Sequence, residues 1–209
     1  MKLHDCRTAP SPRRVRIFLA EKGLALPTVQ VDLRHGEQLT PSFRALNPWC
    51  TVPVLELDDG TTISEAIAVC HYLEAVHPEP ALMGRTAAER ATILMWEHRC
   101  EIDGFLAVQE AFRNSARGLK GRALTGAEEV AQIPALAERG RARVLRFMRL
   151  LDRRLAESPW VGGPGHSVAD ITALVAVDFA GWLKLELPPD CVHARRWHAD
   201  ASQRPSAMA

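Results

Sequence analysis

The 209-residue chain predicts an α/β segment over residues 1–80 followed by an all-helical segment over residues 86–209. Short strand and helix patterns alternate up to Pro78, no strand pattern recurs after Arg85, and three long amphipathic stretches occupy the remainder.

Lys2 to Cys6 is a short strand candidate, ended by the breaker cluster Ala9-Pro10-Ser11-Pro12. Ser11 reads as a helix N-cap with Pro12 at the first helical position, where the missing amide hydrogen costs nothing. Val15, Phe18 and Leu19 recur at helical spacing through Lys22, and Gly23 ends the run. Pro27 to Asp32 alternates like a half-buried strand, and Pro41 to Leu46 reads as a helical turn closing at Asn47-Pro48. Two apolar runs around Asp59-Gly60, from Val52 to Ile63, predict a hairpin. A helix capped by Ser64 follows, with Ile67, Cys70 and Leu73 on one face. Beyond the boundary near residues 78–86, the helical stretches are Thr86 to Asn114, Ile133 to Glu157 and Ser167 to Leu185, the last two separated by the Gly/Pro group from Ser158 to Gly165.

The formal net charge is +1, with 47% hydrophobic and 24% charged residues. Such a balance excludes an electrostatic nucleic-acid binder and a disordered chain. No signal-peptide pattern opens the sequence and no apolar run could span a membrane, so the expected location is cytoplasmic, with no membrane partner. Five widely spaced cysteines, without a Cys-x-x-Cys or a His pairing of ligand spacing, read as reduced thiols with no metal site.

Two places carry recognition chemistry. At Val52-Pro53 an X-Pro bond enters a strand, so either the proline opens an edge strand or a cis bond turns the Val52 amide and carbonyl toward an extended peptide ligand. Ser64-Glu65 starts a helix, so free amides and the positive end of its dipole are available to a carboxylate, and Glu65 to an ammonium group. The bland reading of that start is an ordinary cap.

Ser11-Pro12-Arg13-Arg14-Val15-Arg16-Ile17, Asn47-Pro48 ahead of Val52-Pro53-Val54-Leu55, Ile63-Ser64-Glu65, and Trp160-Val161-Gly162-Gly163 ahead of Ser167-Val168-Ala169-Asp170-Ile171 stand in register. Together they resemble the cytosolic glutathione S-transferases over nearly the whole chain. The resemblance implies a thioredoxin-like N-terminal domain that binds glutathione, an all-α C-terminal domain that supplies the electrophile pocket, and a homodimer. Asp170 would reach back to the Ser167 amide as a capping box, a folding role.

By that resemblance Val52, held by Pro53, pairs with the cysteinyl backbone of glutathione, and Glu65 and Ala66 receive its γ-glutamyl end. Ala66 departs from the family's hydroxyl-bearing residue, which leaves the carboxylate to backbone amides and to neighbouring Ser64. Gln38 and Thr51 are the candidates for the glycyl carboxylate. The chain resembles a bacterial and fungal branch without an obvious Tyr, Ser or Cys activator of the sulfur. A thiol of pKa about 8.5 must lose its proton to be nucleophilic. Ser11, aligned with the cysteine of beta-type members, is the first candidate to stabilise the thiolate or else a plain cap, whereas Ala9 occupies the serine position of theta-like and zeta-like members. Arg13 and Arg14 would add positive potential or be solvated. Gln109, Arg113 and Asn114, the first two one helical turn apart, are further candidates or plain surface residues. Phe112, Asn114 and Trp182 are assigned to the electrophile pocket, with Trp96 and Phe105 as further aromatic candidates or core. Glu97 and Arg99 are assigned to a subunit interface.

The expected function is conjugation of the glutathione thiolate to small, largely apolar electrophiles. Two alternatives stand beside it: a non-catalytic interaction module of the same fold, and glutathione-dependent thiol-disulfide exchange through Cys6 or Cys50, whose bland reading is a small core residue.

Overall fold

The computed structural model describes all 209 residues. In chain order the elements are β1 (Lys2–Asp5), α1 (Pro10–Glu21), β2 (Thr28–Gln30), α2 (Pro41–Leu46), β3 (Val54–Glu56), β4 (Thr62–Ser64) and α3 (Ala66–Val76). The helical part comprises α4 (Ala87–Arg99), a π-helical segment (Cys100–Phe105), α5 (Leu106–Ser115), α6 (Pro134–Glu157), α7 (Val168–Gly181) and α8 (Val192–Ser202). This is the thioredoxin-like arrangement with an all-helical second half.

The sheet runs β2-β1-β3-β4. β1 and β2 are parallel, with Leu3 opposite Thr28, and β3 lies antiparallel to β1 and β4, with Leu55 between Leu3 and Ile63. Leu3 and Leu55 are buried with Val15 and Phe18 of α1 and Val69 and Leu73 of α3. This core continues into the helical half through α7, whose residues Val168 to Val177 are all buried. A helix apolar on every side is one packed on every side. α2 covers a smaller cluster of Val31, Phe43, Val52 and Val54.

Four elements differ from expectation. α1 starts at Pro10 with Ala9 as N-cap, because Pro10 suits the first helical position as well as Pro12 does and the Ala9 amide closes a turn onto the Cys6 carbonyl. Ser11 is therefore not a cap. Ser64 is the last residue of β4, and α3 starts one residue later behind Glu65, whose φ of 70° lies in the left-handed region. The stretch Thr86 to Asn114 is interrupted by the π segment, where Gly104 is so close to Phe147 of α6 that a Cβ would lie 2.6 Å from its ring. α8 lacked a clear apolar period and escapes the sequence reading; Trp197 and Ala201 anchor it.

Candidate active site

Between the sheet half and the helices α5 and α7 lies a cavity of about 710 Å³. Its floor is the junction of β1 and α1. Pro10 and Pro12 carry no amide hydrogen, so the Ser11 N–H is the free backbone donor at the start of α1. The Ser11 hydroxyl accepts a hydrogen bond of 2.9 Å from Arg14 Nη2. Arg14 is 3% exposed, its Nη1 is bonded to Glu101, and its guanidinium carbon stands 4.1 Å from the centre of the Phe105 ring. Through this one side chain α1 is tied to the π segment of the helical half. Arg13 turns away, to Asp178 at 2.6 Å and the Ala207 carbonyl at 3.0 Å, so only Arg14 brings charge to the cavity floor.

The Val52-Pro53 peptide is cis. The Val52 N–H and C=O have no hydrogen-bond partner in the chain, although Val52 lines the cavity. Asn47 holds the approach to them: its Nδ2 donates to the Thr51 carbonyl at 2.9 Å and to Thr51 Oγ1 at 3.0 Å. Thr51 lines the cavity with its hydroxyl thus engaged. Gln38 also faces the cavity, is 4% exposed, and its Oε1 is buried without a partner. Glu65 lines the cavity at the start of α3, and Val69 N donates to its carbonyl at 3.0 Å. The amides of Ala66, Ile67 and Ala68 have no carbonyl one turn back to bond. Pro53, Ser64 and Ala66 do not line the cavity with their side chains, and the Ala66 methyl is buried.

The opposite wall is aromatic. Phe112, Phe179 and Trp182 meet edge to face with ring centres 5.0 to 5.5 Å apart, and Phe105 adjoins Phe179 at 5.8 Å. Gln109 and Arg113 of α5 complete that side. Asn114 does not. Its Nδ2 donates to the Glu110 carbonyl at 2.9 Å and its Oδ1 accepts from Ile133 N at 2.9 Å, so it staples α5 to the entry of α6 outside the cavity. Trp96 lies outside it too, beneath the Arg154 guanidinium at 5.0 Å.

Glu97 is not a surface residue. It is 4% exposed and accepts from Thr172 Oγ1 at 3.4 Å. Burial, reinforced by the Glu101 charge one turn on, pushes its carboxyl up to about 7 against the opposing pull of Arg14 and Thr172. Arg99 is exposed and pairs with Asp103 at 3.5 Å. Cys6 lies just beyond the end of β1 and not within the strand; it and Cys50 both line the cavity, the Cys50 backbone being left-handed with φ 55°.

The sequence reading missed Arg14 as a bridge and also Glu101, Phe179, Arg34 and Arg122, all of which line the cavity. No local pattern marks them, because only the packing of the two halves brings them to one cavity.

Comparison with known proteins agrees with this architecture. The sequence model described as "Glutathione S-transferase, N-terminal domain" matches residues 8–76. Glutathione S-transferase 2 of Saccharomyces cerevisiae is 38% identical over 209 residues, covering 99% of this chain and 87% of the relative. Among solved structures, a glutathione S-transferase domain-containing protein of Marinobacter aquaeolei VT8 superposes with a TM-score of 0.92 at 39% identity, over 99% of both chains. Gtt2 of Saccharomyces cerevisiae superposes with the same TM-score at 37% identity, over 100% of this chain and 99% of that one. The chain belongs to the cytosolic glutathione S-transferase family, as an enzyme of that family. No helix in it is long and apolar enough to cross a membrane.

Proposed function

We propose that the chain conjugates glutathione to small, largely apolar electrophiles. The observation that carries this reading is the pair of unpartnered Val52 backbone groups beside Ser11, in a cavity whose other wall is aromatic. Residues 1–80 hold glutathione as co-substrate, and residues 86–209 hold the electrophile. The cysteinyl backbone pairs with Val52, positioned by Pro53. The γ-glutamyl ammonium meets Glu65, and its carboxylate meets the amides that open α3 at Ala66, with Ser64 beside them. The glycyl carboxylate lies toward Gln38 and Thr51.

The thiol proton leaves to solvent, and the Ser11 Oγ–H stabilises the thiolate, helped by the positive end of α1. The sulfur then attacks the electrophilic carbon. A C–S bond forms and the leaving group departs with its bonding pair. Holding both reactants in one cavity supplies proximity, and the charged nucleophile is stabilised by fixed donors. Gln109 faces the sulfur from the helical side, with Arg113 one turn further along α5. The enzyme works as a homodimer in the cytoplasm.

The test is retention on immobilised glutathione together with turnover of 1-chloro-2,4-dinitrobenzene. Binding with turnover is the expected result. Binding without turnover makes the protein a carrier, and absence of binding makes it an interaction module. A second reading, thiol-disulfide exchange, is favoured by the presence of both Cys6 and Cys50 on the cavity wall. It requires that changing both to serine abolish reduction of a glutathione mixed disulfide while leaving aryl-halide conjugation intact.

A further inference from the structure

We infer that the electrophile half of the cavity takes co-substrates bearing an anionic group, a carboxylate in the simplest case, bound by Arg113 and Arg122. The inference rests on the transferase reading above and narrows its substrate class.

The charge balance of the cavity wall motivates it. Three acidic residues line the cavity, and two are already engaged within the chain: Glu101 is ion-paired with Arg14, and Asp32 is hydrogen-bonded to the His35 ring at 2.6 Å. The third, Glu65, stands at the start of α3 on the glutathione side and is needed there for an ammonium group. On the electrophile side Arg113 and Arg122 line the cavity, and neither has a carboxylate partner anywhere in the chain. Hydrogen bonds do not cancel their charge. Arg113 Nη2 donates to the carbonyls of Arg122 and Leu124, which fixes the guanidinium in place, while Arg113 Nε is buried with no acceptor. The Arg122 side chain makes no hydrogen bond at all.

Two guanidiniums without a carboxylate partner in a half-enclosed cavity, beside an aromatic wall, are costly unless an anion arrives. Burial first, and the Arg122 charge second, lower the affinity of the Arg113 guanidinium for its proton. The guanidiniums stand beside the aromatic wall of Phe112 and Trp182, and Trp182 is 54% exposed at the open side. The matching ligand is therefore amphiphilic, with an apolar or aryl body against the rings and a carboxylate in the guanidinium fork. Glutathione displaces a leaving group from such a body as it does from a neutral one.

The test compares 4-chloro-3,5-dinitrobenzoate with 4-chloro-3,5-dinitrobenzamide, both of which lose chloride to the glutathione sulfur. Each kcat/KM is divided by the uncatalysed rate constant with free glutathione at the same pH, which removes their intrinsic difference in reactivity. The expected result is a preference for the benzoate of about tenfold, shrinking as salt rises and reduced about fivefold or more in Arg122→Gln, chiefly through KM for the benzoate. Arg122→Lys retains part of the preference. Equal normalised values, or a preference that Arg122→Gln leaves intact, overturn the inference.

If neither arene is turned over, the transferase reading fails separately. Calorimetry with the unreactive 3,5-dinitrobenzoate and 3,5-dinitrobenzamide then decides the inference. Tighter binding of the benzoate that Arg122→Gln abolishes supports it, and equal binding overturns it.

Discussion

Arg14 Nη2 donates to Ser11 Oγ at 2.9 Å, one turn back along α1. That bond occupies a lone pair of the hydroxyl, which leaves the Oγ–H free to point into the cavity as a donor. The same guanidinium is anchored to Glu101 of the π segment and stacked over Phe105. The Ser11 hydroxyl is thus oriented by an arginine that is itself held by the other half of the molecule.

Ser11→Ala removes the donor without disturbing a cap, because Ala9 occupies the cap position. Turnover of 1-chloro-2,4-dinitrobenzene falls by at least about tenfold with little change in KM for glutathione, as when an interaction of the transition state is lost. The pH profile of kcat/KM shifts upward, since the bound thiol ionises less readily. Turnover within twofold of the parent would reduce Ser11 to a bystander and direct attention to Gln109.

Arg14→Met leaves the Glu101 carboxylate without its cation and Ser11 without its donor. Chemical denaturation should show a loss of about 2–4 kcal/mol, and the double variant Arg14→Met/Glu101→Gln should recover part of it. Additive losses in the two single variants would mean the pair is not coupled.

Glu97 gives stability a pH dependence of definite sign. Its carboxyl keeps its proton up to about pH 7 in the folded protein but only to about 4.5 when unfolded. The folded state binds more protons between those values, so the contribution is fully present below the lower one and is lost as pH rises through the upper one. The loss amounts to about 3 kcal/mol. Glu97→Gln should flatten the decline in Tm between about pH 5 and about pH 8 and raise stability at the alkaline end. An unchanged slope would show that Glu97 is ionised throughout.

Asp170 is fully buried and accepts four hydrogen bonds: Oδ1 from Val161 N at 2.8 Å and Trp197 Nε1 at 2.9 Å, Oδ2 from Ser167 N at 3.0 Å and Ser167 Oγ at 2.9 Å. It therefore ties the start of α7 to the preceding loop and to α8, well beyond a local capping box. Asp170→Ala should cost about 3–5 kcal/mol by denaturation, because it strands several buried donors at once. A loss near 1 kcal/mol would confine the role to the cap alone.

The sequence by itself determined the order and kind of most elements, the turn at Val52-Pro53 and the Ser167–Asp170 motif. Those features depend on neighbours a few residues apart: apolar period, a proline's missing N–H, a carboxylate three residues from a cap. Local spacing also placed Val52 and Glu65 among the candidates and the family resemblance added Gln38, and all three line the cavity. Local spacing misled at Ser11, where two prolines fit the same helix start, and the family resemblance misled at Asn114, whose amide is bonded to the backbone of Glu110 and of Ile133 at the entry of α6. Only the tertiary structure decided that Arg14 meets Glu101, that Glu97 is buried against Thr172, and that Arg113 and Arg122 stand unpaired in one cavity. The physical reason is that periodicity specifies which side of a helix is apolar, whereas the partner of a charged group is set by how whole elements pack, across separations on which a short sequence window carries no information.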